Sequence, residues 1–214
     1  MARLRIAVLI SGRGSNLQAL IDACAVPDFP AEIVLVVSNR ADAQGLERAT
    51  RARIPTRVIP HREFATRVAF DTAIDRALKE ARVELICLAG FMRVLGTAFV
   101  TAWHDKLINI HPSLLPQFPG LDTHARALAA GVERHGCTVH FVRNDVDSGP
   151  IIVQGSVPVL PNDTAETLAA RVLAVEHRAY PLALRLVVEG RVRVVSDRVE
   201  IDGVPGPVRL DAAA

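Results

Sequence analysis

The most constraining feature of this sequence is a regular alternation, in its first half, between short apolar runs and segments with helical spacing. The runs are rich in β-branched residues and occupy residues 4–10, 32–38, 56–59, 85–89 and 107–110. Helix-like segments separate the earlier runs, at residues 15–23, 44–52 and 62–81. Strands that are apolar along their whole length and alternate with helices are typical of a parallel sheet covered on both faces. Because such crossovers are right-handed, the pattern predicts an α/β fold with a doubly wound, mostly parallel sheet.

The second half of the chain departs from this alternation. Three prolines and a glycine within HPSLLPQFPGLD, residues 111–122, argue against a helix or a central strand and predict an ordered loop. The remaining pattern predicts a helix, two strands, a long helix and a hairpin, at residues 123–130, 137–141, 151–159, 164–189, and 192–195 with 199–201. Asp163 or Thr164 is the expected N-cap of the long helix, and Pro181 is its expected kink.

Length and composition fit one globular domain, since the 214 residues are half hydrophobic and 22% charged. We expect a main domain over residues 1–189, with a hairpin and tail over residues 190–214 packed on it and frayed at the final DAAA. The formal net charge is only +2 and the charges are interspersed, which disfavours nucleic-acid or membrane-surface binding. The first ten residues lack a cleavage pattern, and no apolar run reaches the roughly 20 residues that span a bilayer. We therefore expect a cytoplasmic protein.

A glycine-rich segment, Ser11-Gly12-Arg13-Gly14-Ser15-Asn16, follows the first run and opens the first helix. Its glycines let the backbone approach an anion closely, and a helix N-terminus offers N–H donors. The segment predicts a phosphate site, although a tight turn without a ligand fits the same residues. The dinucleotide fingerprint needs a third glycine and an acidic residue about 20 positions on, whereas the second run ends in Ser38-Asn39-Arg40. NAD is therefore disfavoured.

The fifth apolar run ends in Asn109-Ile110-His111. Residues two apart in a strand project to the same side, and the carboxyl ends of strands in such a sheet face the ligand crevice. An amide can hold a developing oxyanion while an imidazole donates or relays a proton, so this pair suits acyl transfer. A purely structural histidine is the alternative.

An acidic turn, Asp145-Val146-Asp147-Ser148-Gly149-Pro150, separates two predicted strands. Aspartates in turns are commonly loop formers, but a carboxylate near His111 would favour the imidazolium form. No calcium-binding ladder is present, and Cys24, Cys87 and Cys137 lack the spacing of metal or redox sites. We therefore expect no metal.

Four segments of this sequence resemble the phosphoribosylglycinamide formyltransferase family, the folate-dependent glycinamide ribonucleotide transformylases of purine synthesis. They are SGRGSNLQALIDA near the start, LAGFMRVL at 88–95, INIHPSLLPQFPGLDTHARAL at 108–128 and GCTVHFVRNDVDSGPIIVQ at 136–154. The HPSLLP loop and the Asp-x-Gly turn are shared by all 10-formyltetrahydrofolate formyltransferases. SGRGSNLQ and the later EHRAYP resemble the glycinamide branch. The resemblance implies the Rossmann-like formyltransferase fold.

The resemblance also implies roles for individual residues. Implied catalytic residues are Asn109, which polarises the formyl oxygen, His111, the proton donor, and Asp147, which orients the imidazole and favours its charged form. Implied substrate-binding residues are Gly14, Ser15 and Asn16 for the phosphate and Glu176 for the ribose hydroxyls. Implied folate-binding residues are Arg67, Met92, Arg93, Val94, Leu95, Asn109, Asp145, Val146, Asp147 and Gly149.

The implied reaction transfers the formyl group of 10-formyltetrahydrofolate, a co-substrate, to the glycinamide amine of N1-(5-phospho-D-ribosyl)glycinamide through a tetrahedral intermediate. We expect direct transfer without an acyl-enzyme, because no serine lies in a nucleophile elbow and no cysteine has a basic motif beside it. The expected partners are these two small molecules, with no nucleic acid, membrane, metal or NAD. A monomer and a homodimer are both open.

Three other functions fit parts of this sequence. A formyltetrahydrofolate hydrolase would share the Asn109, His111 and Asp147 set but use water, and its extra N-terminal domain has no room before a strand that starts at residue 4. Methionyl-tRNA formyltransferase carries a C-terminal domain that 214 residues do not hold. A non-catalytic nucleotide-binding module would use the glycine-rich segment alone. We expect the glycinamide branch.

Overall fold

The computed structural model describes residues 3–211, which form two compact units that divide between Asn109 and Ile110. In unit 1, the part up to Asn109, the apolar runs form parallel strands in the hydrogen-bonded order β5-β4-β1-β2-β3. These are β1 (Leu4–Ile10), β2 (Ala31–Ser38), β3 (Thr56–Val58), β4 (Leu85–Leu88) and β5 (Leu107–His111). β1 lies between two partners, and its residues 6–10 are fully buried, as its uninterrupted apolar sequence predicts.

The helices of unit 1 are α1 (Ser15–Ala25), α2 (Gly45–Arg51), α3 (Arg67–Glu80) and α4 (Thr97–Ala102). The prediction of one helix over residues 62–81 is wrong, because a 3-10 turn at His61–Glu63 precedes α3. The hydroxyl of Thr66 accepts the N–H of Ala69 at 3.1 Å, and this N-cap sets the start of α3. α4 was not predicted, since six residues are too few for a periodic signal.

Unit 2, from Ile110 onward, contains α5 (Thr123–Ala129), β6 (Arg134–Phe141), β7 (Ile151–Pro158) and α6 (Ala165–Val188). β6 and β7 are antiparallel, and α6 packs on both of them through buried side chains such as Leu168, Val172 and Leu184. The predicted N-cap Thr164 is confirmed, since its hydroxyl accepts the N–H of Thr167 in a capping box. The helix continues through Pro181.

The chain ends in more strand than the sequence predicts. The expected hairpin forms from β8 (Val192–Val195) and β9 (Arg198–Ile201), and β10 (Val204–Pro205) adds to it. β11 (Val208–Asp211) then pairs in parallel with β7, so the expected fraying at DAAA is wrong for Asp211. Pairing with a distant strand supplies the partner that a local pattern does not reveal. The other three residues of DAAA, 212–214, lie outside the described residues.

In unit 2 the strands β11, β7 and β6 are hydrogen-bonded in the order β11-β7-β6. The pairs β1–β2, β1–β4, β2–β3, β4–β5 and β7–β11 are parallel, and β6–β7 is antiparallel. This mostly parallel sheet with its helices confirms the predicted α/β fold class. Within residues 3–211 no helix is long and apolar enough to cross a membrane.

Candidate active site

His111 and Asp147 form a buried pair in unit 2. His111 is the last residue of β5, and Asp147 lies in the turn between β6 and β7. Nδ1 of His111 is 3.3 Å from Oδ2 of Asp147, and the two side chains are 7% and 9% exposed. Nε2 of His111 lies 2.9 Å from the carbonyl oxygen of Phe118. Because a carbonyl only accepts, Nε2 carries a hydrogen, and Nδ1 is the nitrogen that faces the carboxylate.

The backbone holds the carboxylate of Asp147 in this position. Asp147 has a φ of 54°, in the left-handed region, and its Oδ2 accepts the N–H of Gly120 at 2.8 Å. A Cβ on Gly149 would lie 1.8 Å from the carbonyl oxygen of Phe141, so the turn requires glycine there. The sequence predicts the charge of this turn. It does not predict the contacts with the N–H of Gly120 and the carbonyl of Phe118, because both groups belong to the proline-rich loop, residues 111–122.

Asn109 lies in β5 two residues before His111, as predicted, and is half-buried opposite Leu88 of β4. Residues two apart in a strand share a side of the sheet.

Three further histidines of unit 2 were missed by the sequence analysis because they are far apart in the chain. Nε2 of His135 is 3.2 Å from Nδ1 of His124, and Nε2 of His140 is 3.9 Å from Oδ1 of Asp147. Burial lowers the pKa of His124 and lowers the pKa of His135 and of His140 to about 4, with the charge of His111 as a smaller cause. All three rings are therefore neutral near pH 7.

The glycine-rich segment is supported by α2, within unit 1. Gly14 has a φ of 70°, and a Cβ there would lie 2.6 Å from Cα of Gly45. The N–H of Gly45 donates to the carbonyl of Gly12, and Nε of Arg48 donates to the carbonyl of Arg13, both at 3.0 Å. The C=O and N–H of a trans peptide point in opposite directions, so the N–H groups that follow these carbonyls point away from α2. This arrangement suits the predicted anion site.

Ser15 and Asn16 occupy the first turn of α1 and are half-buried. Both therefore lie at the N-terminus of α1, directly after Gly14.

The predicted folate segment, residues 92–95, is held from one side by Ser11. The N–H of Met92 donates to Oγ of Ser11 at 2.7 Å, and this hydroxyl donates to Oδ1 of Asn39 at 2.6 Å. The side chains of Met92, Arg93 and Val94 are exposed, whereas Leu95 is buried. Ser11 thus orders the backbone while three of the four predicted side chains stay available to a ligand.

On its other side the segment is held by α3. Oδ2 of Asp71 accepts the N–H of Gly96 at 2.8 Å, and Oδ1 of Asp71 has no hydrogen-bond partner within residues 3–211. Burial raises the pKa of this carboxyl. Nε of Arg67 lies 3.6 Å from the point that a Cβ on Gly96 would occupy, so the structure brings Arg67 beside the segment. Asp71 was not singled out from the sequence, where it looks like one polar position of an amphipathic helix.

The other predicted residues belong to unit 2. Asp145 and Val146 lie in the turn before Asp147. Val146 is exposed, and the carbonyl of Asp145 accepts a hydrogen bond from Oγ of Ser148 at 2.9 Å. Glu176 is buried on α6. Burial and then the charge of Glu176 raise the pKa of Cys137, which places this carboxylate near β6. No group of three or more metal-binding side chains occurs in the described part of the chain, residues 3–211.

The model of the formyl transferase family matches residues 4–184. The chain belongs to this formyl transferase family. A relative of this formyl transferase, the phosphoribosylglycinamide formyltransferase of Haemophilus influenzae, is 46% identical over 93% of this chain and 94% of its own length. A solved structure of the phosphoribosylglycinamide formyltransferase of Coxiella burnetii, in complex with CHES, superposes with a TM-score of 0.92 at 48% identity. The match covers 97% of this chain and 99% of that one.

The formyl transferase also resembles parts of larger proteins. The trifunctional purine biosynthetic protein adenosine-3 of Gallus gallus is 57% identical over 90% of this chain, which is 19% of the larger protein. The chain thus spans about a fifth of the length of that relative.

Proposed function

We propose that this chain transfers the formyl group of 10-formyltetrahydrofolate to the glycinamide amine of N1-(5-phospho-D-ribosyl)glycinamide, a step of purine biosynthesis. The observation that carries the proposal is the similarity to phosphoribosylglycinamide formyltransferases over more than nine-tenths of both chains. The buried His111–Asp147 pair supports it, because acyl transfer needs an acid beside the reacting carbonyl.

In the proposed reaction the free amine attacks the formyl carbon, and the oxyanion of the tetrahedral intermediate lies near Asn109 and protonated His111. Nε2–H of His111 is bonded to the carbonyl of Phe118 and Nδ1 faces Asp147, so transfer of a proton from His111 to the intermediate would break one of these two contacts. Collapse of the intermediate expels the folate nitrogen after proton transfer, which we propose passes through an ordered water near Asp147. Asn109, His111 and Asp147 are the proposed catalytic residues.

We propose that the two substrates use separate groups of residues. Gly14, Ser15 and Asn16 would hold the phosphate of the ribonucleotide, supported by the peptide orientation that α2 imposes, and Glu176 would hold its ribose hydroxyls. The proposed folate-binding residues are Arg67, Met92, Arg93, Val94, Leu95, Asn109, Asp145, Val146, Asp147 and Gly149. No acyl-enzyme is proposed, because Cys24, Cys87 and Cys137 are all buried and burial raises the pKa of Cys24 to about 11.

Four further points stay predictions. They are a cytoplasmic location, a catalytic domain at residues 1–189, a tail at residues 190–214 packed on that domain, and a monomer or a homodimer as the oligomeric state.

An absorbance assay with purified protein, glycinamide ribonucleotide and 10-formyl-dideazafolate tests the reaction. We expect deformylated folate to appear at the rate at which formylglycinamide ribonucleotide forms, and neither to appear when one substrate is omitted. Folate deformylation without the ribonucleotide would identify water as the acceptor and overturn the proposal. Binding of the ribonucleotide without turnover would instead identify a nucleotide-binding module.

A further inference from the structure

Both ends of the loop that follows His111, residues 112–118, are hydrogen-bonded to this histidine. The N–H of Ser113 donates to the carbonyl of His111 at 2.9 Å, and the loop ends at Phe118, whose carbonyl bonds Nε2 of the same histidine. Within the loop, Oγ of Ser113 donates to the carbonyl of Gln117 at 2.6 Å. The conformation of residues 112–118 therefore fixes the position of the His111 ring.

Two buried side chains hold this loop from the sheet. Oγ of Thr138, on β6, donates to the carbonyl of Ser113 at 2.7 Å and accepts the N–H of Leu115 at 3.0 Å. Nε2 of Gln154, on β7, donates to the carbonyl of Leu115 at 2.8 Å and to Oγ of Thr138 at 3.1 Å. The two N–H groups of Gln154 and the hydroxyl of Thr138 are then fully used.

The remaining polar atom of Gln154 faces the C-terminal strand. Oε1 of Gln154 accepts a hydrogen bond from Nη1 of Arg209 at 3.2 Å. Thr138 is opposite Gln154 in the β6–β7 pairing, and Arg209 is opposite Gln154 in the β7–β11 pairing. Thr138, Gln154 and Arg209 thus form a row across three neighbouring strands, with the loop at one end and the tail at the other.

Arg209 and the carbonyl of Leu115 together fix which way the Gln154 amide faces. A guanidinium only donates, so it bonds the amide oxygen and repels the amide nitrogen. A flipped amide would place two acceptors together at the carbonyl of Leu115 and two donors together at Arg209. A cavity of about 200 Å³ borders both Gln154 and Arg209, so without the guanidinium water could hydrate either orientation of the amide.

We propose that Arg209, on the C-terminal strand, is a positioning residue that fixes Gln154, the loop of residues 112–118 and thereby the ring of His111. The proposal rests on the catalytic role proposed above for His111. It assigns a part in the reaction to a strand that begins after residue 184, where the match to the family model ends.

Three variants separate positioning from strand stability. Arg209→Leu removes the donor, Arg209→Lys keeps one, and Asp211→Ala is a matched control in the same strand. Asp211 anchors β11 by accepting hydrogen bonds from Nη2 of Arg134 at 2.9 Å and from Oγ of Ser156 at 2.5 Å, and although its charge also acts on Arg209, neither of these bonds involves Gln154. For each protein we would measure kcat, KM for both substrates, Tm, and the NMR resonance of the His111 Nε2–H.

We expect Arg209→Leu to shift the His111 resonance and to lower kcat about three- to tenfold, the kinetic equivalent of one hydrogen bond, with little change in either KM. Arg209→Lys should restore most of kcat. Asp211→Ala should lower Tm while leaving kcat and the resonance as in the wild type. Wild-type kcat and resonance in Arg209→Leu, or an equal loss of kcat in Asp211→Ala, would overturn the proposal.

Gln154→Glu covers the case in which Arg209→Leu detaches the strand. A carboxylate still accepts from Arg209, which keeps β11 attached, but it cannot donate to the carbonyl of Leu115 or to Thr138, so the His111 resonance should shift and Tm should fall. An unchanged resonance would contradict the proposal. If the wild-type protein transfers no formyl group, the proposed function fails, and the resonance shifts alone decide whether the tail positions His111.

Discussion

At the scale of single residues, the ring of His111 lies between two acceptors of different strength. Nε2 faces the carbonyl of Phe118, and Nδ1 faces the carboxylate of Asp147. A protonated ring donates to both, whereas a neutral ring donates to only one. Because burying either charge alone is costly, the position of each group depends on the other.

We expect His111→Ala to abolish detectable formyl transfer while the fold is retained, because the imidazole is the proposed proton donor. The transfer assay measures the first effect and circular dichroism the second. His104→Ala is the control, since that side chain is 56% exposed and pairs with Asp105 at the surface. A folded His111→Ala protein with the wild-type rate would contradict the mechanism.

Asp147→Asn keeps the size of the side chain but removes the charge that favours the imidazolium. We expect kcat to fall by roughly a hundredfold or more, within the range of general acid catalysis. The NMR resonance of the His111 Nε2–H should also shift, because the ring loses its charged partner. If activity is lost while this resonance stays as in the wild type, loop geometry rather than charge would explain the loss.

At the scale of elements, α2 supports the loop that opens α1. Gly14→Val would be a poor test of phosphate binding, because a Cβ at this position meets the Cα of Gly45 whether or not a ligand is bound. The support from Arg48 can be tested without that clash. Its side chain donates hydrogen bonds to the carbonyl of Arg13 in the loop and to the side chain of Gln18 in α1.

We expect Arg48→Gln to raise KM for glycinamide ribonucleotide about three- to tenfold, the effect of one hydrogen bond, and to leave KM for the folate unchanged. Arg51→Gln is a matched control, because it removes the same charge from the same helix at a side chain that is 73% exposed and pairs with Glu47. Steady-state kinetics on both variants provide the measurement. Equal increases in both KM values would show that the loop does not bind the phosphate.

At the scale of the whole molecule, the buried histidines link stability to pH. Burial holds the pKa of His135 and of His140 near 4 in the folded chain, below the ordinary value of 6.5. Between these values the unfolded chain binds more protons than the folded one. Their contribution to stability is therefore complete above about pH 6.5 and is lost as the pH falls toward 4.

We expect the free energy of unfolding, measured with urea, to decrease between pH 7 and pH 5, and to decrease less steeply in His135→Asn. His104→Asn, at an exposed position, should keep the wild-type slope. Identical slopes in the wild type and His135→Asn would show that His135 accepts a proton freely in the folded state.

The strands of unit 1 could be predicted from the sequence, because burial on both faces of the sheet leaves an uninterrupted apolar run, as in residues 6–10. Helix boundaries that depend on one side chain, such as the start of α3 at the Thr66 N-cap, could not be predicted from the sequence. β11 was missed because its partner, β7, is some 50 residues away in the chain, as the Arg209–Gln154 pairing shows. Of the candidate site, the local motifs predicted the residue types, and the approach of Asp147 to His111 had to be assumed.

The sequence by itself determined the α/β fold class, the glycine-rich turn before α1 and the acidic turn before β7, because each depends on neighbours within a few residues. Only the tertiary structure decided which acceptors fix His111, that Gly45 and Arg48 orient the peptides of the glycine loop, and that Arg209 bonds Gln154. These contacts join residues from separate elements. Their geometry depends on packing and strand register, for which a local pattern of polar and apolar residues carries no signal.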